Sequence, residues 1–122
     1  MKILIADDHA VVRRGLREIL ADALPDARFA EAADGEEVLR QLAISPYGVL
    51  LLDINMPGRS GLDVLHDVKE TYPQLPVIIV SVHPADQYAT RCLRAGATAY
   101  VNKDNAPDTL ALTTRKVLES AG

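Results

Sequence analysis

The side chains best suited to chemistry in this sequence are acidic residues that directly follow short apolar runs. Asp7 and Asp8 follow the apolar run at residues 3–6, and Asp53 follows the run at residues 49–52. Carboxylates a few ångströms apart repel one another, so a cluster of them raises a pKa or recruits a cation. Oxygen ligands with vacant positions suit Mg²⁺. We therefore expect a magnesium site wherever the fold brings these runs together.

A hydroxyl and an amine follow two further apolar runs. Ser81 comes after residues 76–80, and Lys103 comes shortly after residues 97–101. A cation and an amine beside one carboxylate would neutralise a phosphoryl group being transferred to it. Asp53 is the candidate nucleophile for such a transfer, and Ser81 is placed to donate a hydrogen bond to a phosphoryl oxygen.

Each of these residues also has an ordinary structural interpretation. An Asp after a strand is most often a turn former or a helix cap, and Asp8 is well placed to cap the first helix. Ser81 suits the same role for the fourth helix, and Lys103 is unremarkable in a loop. Their joint occurrence after four separate apolar runs favours a common site over four independent coincidences.

Five segments of the chain predict β-strands, four of them almost wholly apolar and therefore buried on both faces. The second alternates less cleanly and suits a position near an edge. The predicted strands are residues 2–6 (KILIA), 28–33 (RFAEAA), 48–52 (GVLLL), 76–80 (PVIIV) and 97–101 (ATAYV).

Helical patterns separate the predicted strands. The first helix has an apolar stripe that directs three arginines outward. Two more helices begin with capping-box pairs, the fourth is bracketed by a proline and a glycine, and polar residues open the fifth. The stripe consists of Val12, Leu16, Ile19, Leu20 and Ala23; the arginines are Arg13, Arg14 and Arg17; the pairs that mark helix ends are Asp34 with Glu37, Ser60 with Asp63, Pro84 with Gly96, and Asn105 with Asp108.

Strand and helix alternate five times, and this order determines the fold class. Short connections between such elements require a parallel sheet with helices on both faces. The sequence thus predicts a single doubly wound α/β domain. Ligands of such domains bind beyond the carboxyl ends of the strands, where the acidic residues, Ser81 and Lys103 fall.

Composition limits the functions open to this chain. It has 122 residues, 48% of them hydrophobic, and a formal net charge of −4 with no basic block. Strong binding to a phosphate backbone is therefore not expected from this segment alone. No apolar run approaches the roughly 18 residues of a membrane span, and Cys92 is the single cysteine. We expect a cytoplasmic domain with no contact to a membrane.

Over its whole length the chain resembles the receiver domain of bacterial two-component response regulators. The matching residues are Asp7, Asp8, Asp53 in LLDINMPG, Ser81, Tyr100 and Lys103. The stretches PGRSGLDVL and LRAGATAYVNKD resemble the subfamily with a C-terminal LuxR-type helix-turn-helix. The resemblance implies a flavodoxin-like (βα)5 domain over residues 1–122, with strand order 2-1-3-4-5. Any DNA-binding domain would then lie C-terminal to it.

The resemblance also implies roles for individual residues. Asp8 and Asp53 would bind Mg²⁺ through their carboxylates, Asn55 through its main-chain carbonyl, and Asp7 mainly through water. A partner histidine kinase would phosphorylate Asp53, while Ser81 and Lys103 would contact the phosphoryl group. Tyr100 would then turn toward Ser81.

This switch would change the surface of helix four, strand five and helix five, and with it dimerisation or an attached DNA-binding domain. The protein is expected to be a signalling protein and not an enzyme, although it would take phosphoryl groups from small donors and lose them slowly.

Alternatives to this assignment remain open. Asp104 follows Lys103 where many receivers have a proline, which leaves the presence of a cis peptide there open. A free-standing receiver and a phosphorylation-independent interaction module share the fold. A phosphatase of the haloacid dehalogenase type also uses an Asp nucleophile with Mg²⁺, but its acid/base Asp would stand where this chain has Asn55.

Overall fold

The computed structural model describes residues 1–83 and 85–121, apart from the side chains of residues 85–87 and 121. Within these ranges five strands alternate with five α-helices, and a 3₁₀ turn precedes the last helix. The strands are β1 (Lys2–Ala6), β2 (Arg28–Ala32), β3 (Val49–Asp53), β4 (Val77–Ser81) and β5 (Ala99–Asn102). The helices are α1 (Ala10–Ala23), α2 (Gly35–Ile44), α3 (Gly61–Thr71), α4 (Ala85–Arg94) and α5 (Ala106–Ala121), with the 3₁₀ turn at Lys103–Asn105.

The five strands form one parallel sheet in the order β2-β1-β3-β4-β5. This topology confirms the predicted doubly wound α/β fold, including its strand order. The less regular second strand lies at an edge, as its weaker alternation indicated. None of the described helices is long and apolar enough to cross a lipid bilayer.

Two apolar layers cover the faces of the sheet because successive residues of a strand point to opposite sides. Leu50 and Leu52 pack into the layer that includes α2, α3 and α4. Val49 and Leu51 pack into the layer that includes α1 and α5. Residues 49–52 are almost completely buried. An apolar run without alternation is therefore what a central strand of this sheet requires.

The structure corrects the boundaries of four of the predicted strands. β3 and β4 each begin and end one residue later than expected, while β5 begins at Ala99 and extends to Asn102, and β2 ends at Ala32. The polar end residues belong to the strands because Asp53 pairs with Val80 and Ser81 pairs with Asn102 across the sheet. The candidate nucleophile is thus held by the sheet rather than by a loop.

Side-chain caps fix the starts of α2 and α3 as predicted. The Asp34 carboxylate accepts from the Glu37 amide at 2.9 Å, and the Ser60 hydroxyl accepts from the Asp63 amide at 3.2 Å. Asp8 is not the cap of α1, whose N-cap residue is His9, and the His9 side chain makes no capping hydrogen bond. The carboxylate of Asp8 therefore serves no capping role.

The last two helices agree with the expected pattern in part. Gly96, just beyond α4, has φ 112°, a conformation that favours glycine and suits the end of a helix. Pro84, expected to open α4, lies outside the described residues. Asn105 belongs to the 3₁₀ turn, and this turn is opened by the Asn102 side chain, which accepts from the Asp104 amide at 2.9 Å. None of the described peptide bonds is cis, including the one after Lys103.

Candidate functional site

The polar residues selected from the sequence meet at the carboxyl edge of the sheet. Asp7 follows β1, Asp53 and Ser81 end β3 and β4, and Lys103 follows β5. Asp7, Asp53 and Ser81 are buried, which is uncommon for such side chains unless they are paired. Their partners therefore determine what the site can do.

Lys103 connects two of the buried carboxylates. Its Nζ lies 2.7 Å from Oδ2 of Asp7 and 3.4 Å from Oδ1 of Asp53. The lysine side chain is only 14% exposed, so solvent screens these charges weakly. One ammonium thus compensates two carboxylates, and the edge keeps a surplus of negative charge.

Burial controls the ionisation of Asp53. It raises the pKa of that carboxyl above its ordinary value, against the opposing effect of the Lys103 ammonium. The Asp7 carboxylate raises the pKa further, while the Asn55 amide, 3.3 Å from Oδ1, lowers it. Asp53 is therefore a desolvated carboxyl beside a fixed positive charge, an arrangement suited to a nucleophile.

Asp8 and His9 complete an acidic cluster with Asp7. One donor atom from each of the three residues lies within 4.8 Å of the other two. Oδ1 of Asp8 is buried and accepts no hydrogen bond from the described residues, although Nδ1 of His9 lies 3.0 Å away. A buried carboxylate oxygen without a donor is costly unless a cation neutralises it.

This donor set fits Mg²⁺, which favours carboxylate oxygens and keeps several waters. The expected ligand set combined Asp7, Asp8 and Asp53 with the main chain of Asn55. The structure brings all four residues to the same edge, and the cluster around Asp7 and Asp8 also contains His9, which was not among the expected ligands. A histidine directly after two aspartates was the available signal.

Asn55 and His83 approach each other across the outside of the site. Nδ2 of Asn55 lies 2.9 Å from Nε2 of His83, and the His83 ring lies against Tyr88 with 4.3 Å between centroids. The loop after β3 is thereby connected to the loop after β4. His83 was not among the residues selected from the sequence.

Ser81 and Tyr100 are joined through the main chain of His83. The Ser81 hydroxyl accepts from the His83 amide at 3.1 Å, and the Tyr100 hydroxyl donates to the His83 carbonyl at 2.7 Å. Burial raises the pKa of Tyr100. The resemblance implied that Tyr100 turns toward Ser81 on phosphorylation, but in this structure its hydroxyl already lies on that side.

Arg13 departs from the sequence prediction. Its side chain was expected to point outward, but it is only 17% exposed. Nε bonds Oε1 of Glu31 at 2.9 Å, and Nη1 bonds the main-chain carbonyl of Asp7 at 2.6 Å. The predicted apolar stripe of α1 is confirmed, but Arg13 lies at its border, and its long side chain extends back to the edge of the sheet.

A separate hollow of about 580 Å³ lies between the C-terminal ends of α2 and α3. Its lining is mostly apolar and includes Leu42, Tyr47 and Tyr72. No charged side chain contributes to that lining among the described residues. The acid, amine and hydroxyl groups all lie at the carboxyl edge of the sheet, where an α/β domain binds its ligands. The carboxyl edge is therefore the candidate functional site.

Fold and site together define the class of protein expected from the sequence, a signalling receiver domain. A family model described as "Response regulator receiver domain" matches residues 3–115. The chain belongs to this family of two-component response regulator receivers.

Curated relatives identify the kind of regulator that the chain resembles. Transcriptional activator protein ExaE of Pseudomonas putida is 35% identical over 118 residues, covering 97% of this chain and 55% of that protein. Oxygen regulatory protein NreC of Staphylococcus haemolyticus is 40% identical over 109 residues, covering 88% of this chain and 50% of that protein. The chain spans about half the length of the curated relatives it matches.

Solved structures agree in fold over nearly the whole chain. A LuxR-family response regulator from Aurantimonas has a TM-score of 0.89 at 27% identity, covering 98% of this chain and 85% of that one. The response regulator TrrA from Thermotoga maritima, solved in complex with Mg²⁺ and BeF, has a TM-score of 0.84 at 28% identity, with 95% and 97% covered. These similarities support the LuxR-type subfamily expected from the sequence.

Proposed function

We propose that this receiver carries a phosphorelay signal by accepting a phosphoryl group on Asp53 from a partner histidine kinase. The main support is the position of the Lys103 ammonium between Asp7 and Asp53, together with a buried Asp8 oxygen that accepts no hydrogen bond from the described residues. A carboxylate with a fixed positive charge beside it can bind an incoming phosphoryl group and stabilise the product.

Asp53 and the residues around it have different roles in the proposed phosphoryl transfer. Asp53 attacks phosphorus as its bond to the donor nitrogen breaks, and the donor imidazole retains its electron pair and takes up a proton. The Lys103 ammonium and the Ser81 hydroxyl then face oxygens of the transferred group. The ammonium would donate to phosphoryl oxygens in place of the Asp53 carboxylate, and the Ser81 hydroxyl would donate its own hydrogen, which the bond accepted from the His83 amide leaves available.

Asp7, Asp8, Asp53 and the main-chain carbonyl of Asn55 are the residues that would hold Mg²⁺. When bound, the ion neutralises charge on phosphoryl oxygens. TrrA, a relative in fold, was solved with Mg²⁺ and BeF, and this supports the same requirement here. We propose that the same residues also support phosphoryl transfer from small donors and slow hydrolysis.

The output of the switch is proposed to pass through α4, β5 and α5. Tyr100 on β5 is connected to the site through the His83 carbonyl, so loop movement at Ser81 reaches this surface directly. Residues 1–122 would form the receiver of a longer regulator, because ExaE and NreC are about twice as long as this chain. Phosphorylation would then control dimerisation or a C-terminal DNA-binding domain.

Two other functions are less well supported by the site. A phosphorylation-independent interaction module would not require a buried Asp53 paired with Lys103. A phosphatase of the haloacid dehalogenase type would require an acid at position 55, where Asn55 instead contacts His83.

Intact mass spectrometry tests the proposal. The chain is incubated with Mg²⁺ and acetyl phosphate, and the gain of one phosphoryl mass is expected. Asp53→Asn should gain none, whereas the exposed Asp104→Asn should gain as much as the unsubstituted chain. Equal labelling of Asp53→Asn would place the acceptor elsewhere, and absence of labelling in all three would contradict the function.

A further inference from the structure

The main chain of Asp7 is held by an arginine that lies outside the set of proposed phosphotransfer residues. Nη1 of Arg13 donates to the Asp7 carbonyl at 2.6 Å, across the first turn of α1. The Asp7 amide donates to the Ala32 carbonyl at 3.0 Å. Both main-chain polar groups of Asp7 are therefore fixed, the amide by β2 and the carbonyl by Arg13.

Glu31 on β2 fixes the direction of the Arg13 side chain. Its Oε1 accepts from Nε of Arg13 at 2.9 Å, and its Oε2 accepts from Nη1 of Arg17 at 3.0 Å. The hydrogen bond from Arg13 is the largest cause of the lowered pKa of Glu31. The Glu31 carboxylate is thus held between the guanidinium groups of Arg13 and Arg17. Because Nε of Arg13 is bonded to Glu31, its Nη1 remains free to donate to the Asp7 carbonyl.

We propose that Arg13 is a positioning residue for the divalent cation, holding the turn after β1 so that the Asp7 and Asp8 carboxylates face Asp53. The inference rests on the proposed function, since it concerns the same site. Arg13 itself touches no reacting atom. It acts through the Asp7 carbonyl, much as outer groups around a metal orient its ligands.

The direction in which Mg²⁺ affinity changes distinguishes a positioning role of Arg13 from the effect of its charge alone. Removal of a positive charge near an acidic cluster strengthens binding of a cation by electrostatics alone. Loss of a positioning contact weakens it, typically by about tenfold or more. Arg17 provides the matched control because it carries the same charge, lies on the same helix and binds the same Glu31, yet makes no hydrogen bond to Asp7 among the described residues.

The test is a Mg²⁺ titration of the whole chain followed by the NMR shifts of the Asp8 and His9 amides. Arg13→Ala should weaken Mg²⁺ binding about tenfold, and Arg17→Ala should leave it unchanged or slightly tighter. In metal-free buffer, amide exchange at Asp7 and Asp8 should accelerate in Arg13→Ala and not in Arg17→Ala.

A second variant guards against a general loss of folding. Arg13→Lys keeps the charge but cannot bind Glu31 and the Asp7 carbonyl in the same forked geometry. It should also weaken Mg²⁺ binding. Equal or tighter binding by the Arg13 variants, or equal weakening by Arg17→Ala, would overturn the positioning role alone. Failure of the unsubstituted chain to bind Mg²⁺ would contradict the proposed function as well.

Discussion

The ammonium of Lys103 lies 0.7 Å closer to its Asp7 oxygen than to its Asp53 oxygen, at 2.7 Å against 3.4 Å. The sequence led us to expect Lys103 beside Asp53, yet its nearer partner is the carboxylate 96 residues away after β1. Lys103 therefore joins opposite ends of the chain while it keeps the candidate nucleophile within reach. Its removal should affect stability and ion binding together.

Lys103→Met is expected to destabilise the Mg²⁺-free protein by about 3 kcal/mol at neutral pH, because it leaves two buried carboxylates without their cation. Added Mg²⁺ should recover more stability in this variant than in the unsubstituted chain. Urea unfolding with and without the ion measures both effects. Lys116→Met, an exposed change on α5, is the control; equal behaviour of the two variants would contradict the pairing.

Asp53→Asn is expected to stabilise the metal-free protein at neutral pH. Burial raises the folded-state pKa of Asp53 above its unfolded value, so the folded protein binds the proton more tightly. The stability associated with this group is full below the unfolded pKa and is lost as pH rises through the folded pKa.

The melting temperature of Asp53→Asn should therefore exceed that of the unsubstituted chain by about 3 °C at pH 7. The difference should disappear below about pH 4, where the acid is protonated in both states. Asp26→Asn, an exposed change in the loop before β2, should have little effect at either pH. A destabilised Asp53→Asn at pH 7 would show that the Lys103 charge outweighs burial.

Tyr100→Phe is expected to cost about 1 kcal/mol of unfolding free energy, the usual net value of one neutral hydrogen bond. The bond lost is the one from its hydroxyl to the His83 carbonyl. Tyr72→Phe is the control, since its hydroxyl has no partner among the described residues. Urea unfolding of both variants measures the difference, and equal costs would contradict the bond to His83.

Gly61→Ala is expected to destabilise the protein by about 2 kcal/mol or more. An added Cβ would lie 2.5 Å from the Asp53 carbonyl and 2.5 Å from Cα of Ile54, both of them backbone atoms. Gly15→Ala in α1 meets nothing within 4 Å and should stabilise by about 0.5 to 1 kcal/mol. Thermal melting of the two variants measures the effect. Shifts of the melting temperature in the same direction in both variants would contradict this packing.

Much of the fold follows from the sequence because the central strands are buried on both faces. The apolar runs around Leu50 and Ile79 contain no polar residue until they end. The sequence therefore predicts where these strands lie and at which edge of the sheet they end. Parallel strands end at one edge, and this geometry brings Asp53, Ser81 and Lys103 together. The phosphotransfer roles assigned to these residues remain predictions.

The contacts missed from the sequence are those made by long side chains across elements. Helical spacing predicts that Arg13 points outward. Its contact with Asp7 depends on a hydrogen bond to Glu31 on β2, 18 residues away, which the spacing within α1 does not indicate. The contact between Asn55 and His83 depends on two loop conformations that no periodicity describes. Such contacts depend on how the elements pack in three dimensions, and local sequence patterns do not predict them.

The most direct test of the account is to identify which residue carries the phosphoryl group. The chain is labelled with Mg²⁺ and acetyl phosphate, reduced with borohydride, which converts an aspartyl phosphate to homoserine, and mapped by peptide mass spectrometry. Homoserine at position 53 alone is the predicted result. Homoserine at position 7 or 8, or label on a residue that borohydride leaves unchanged, would contradict the assignment of Asp53.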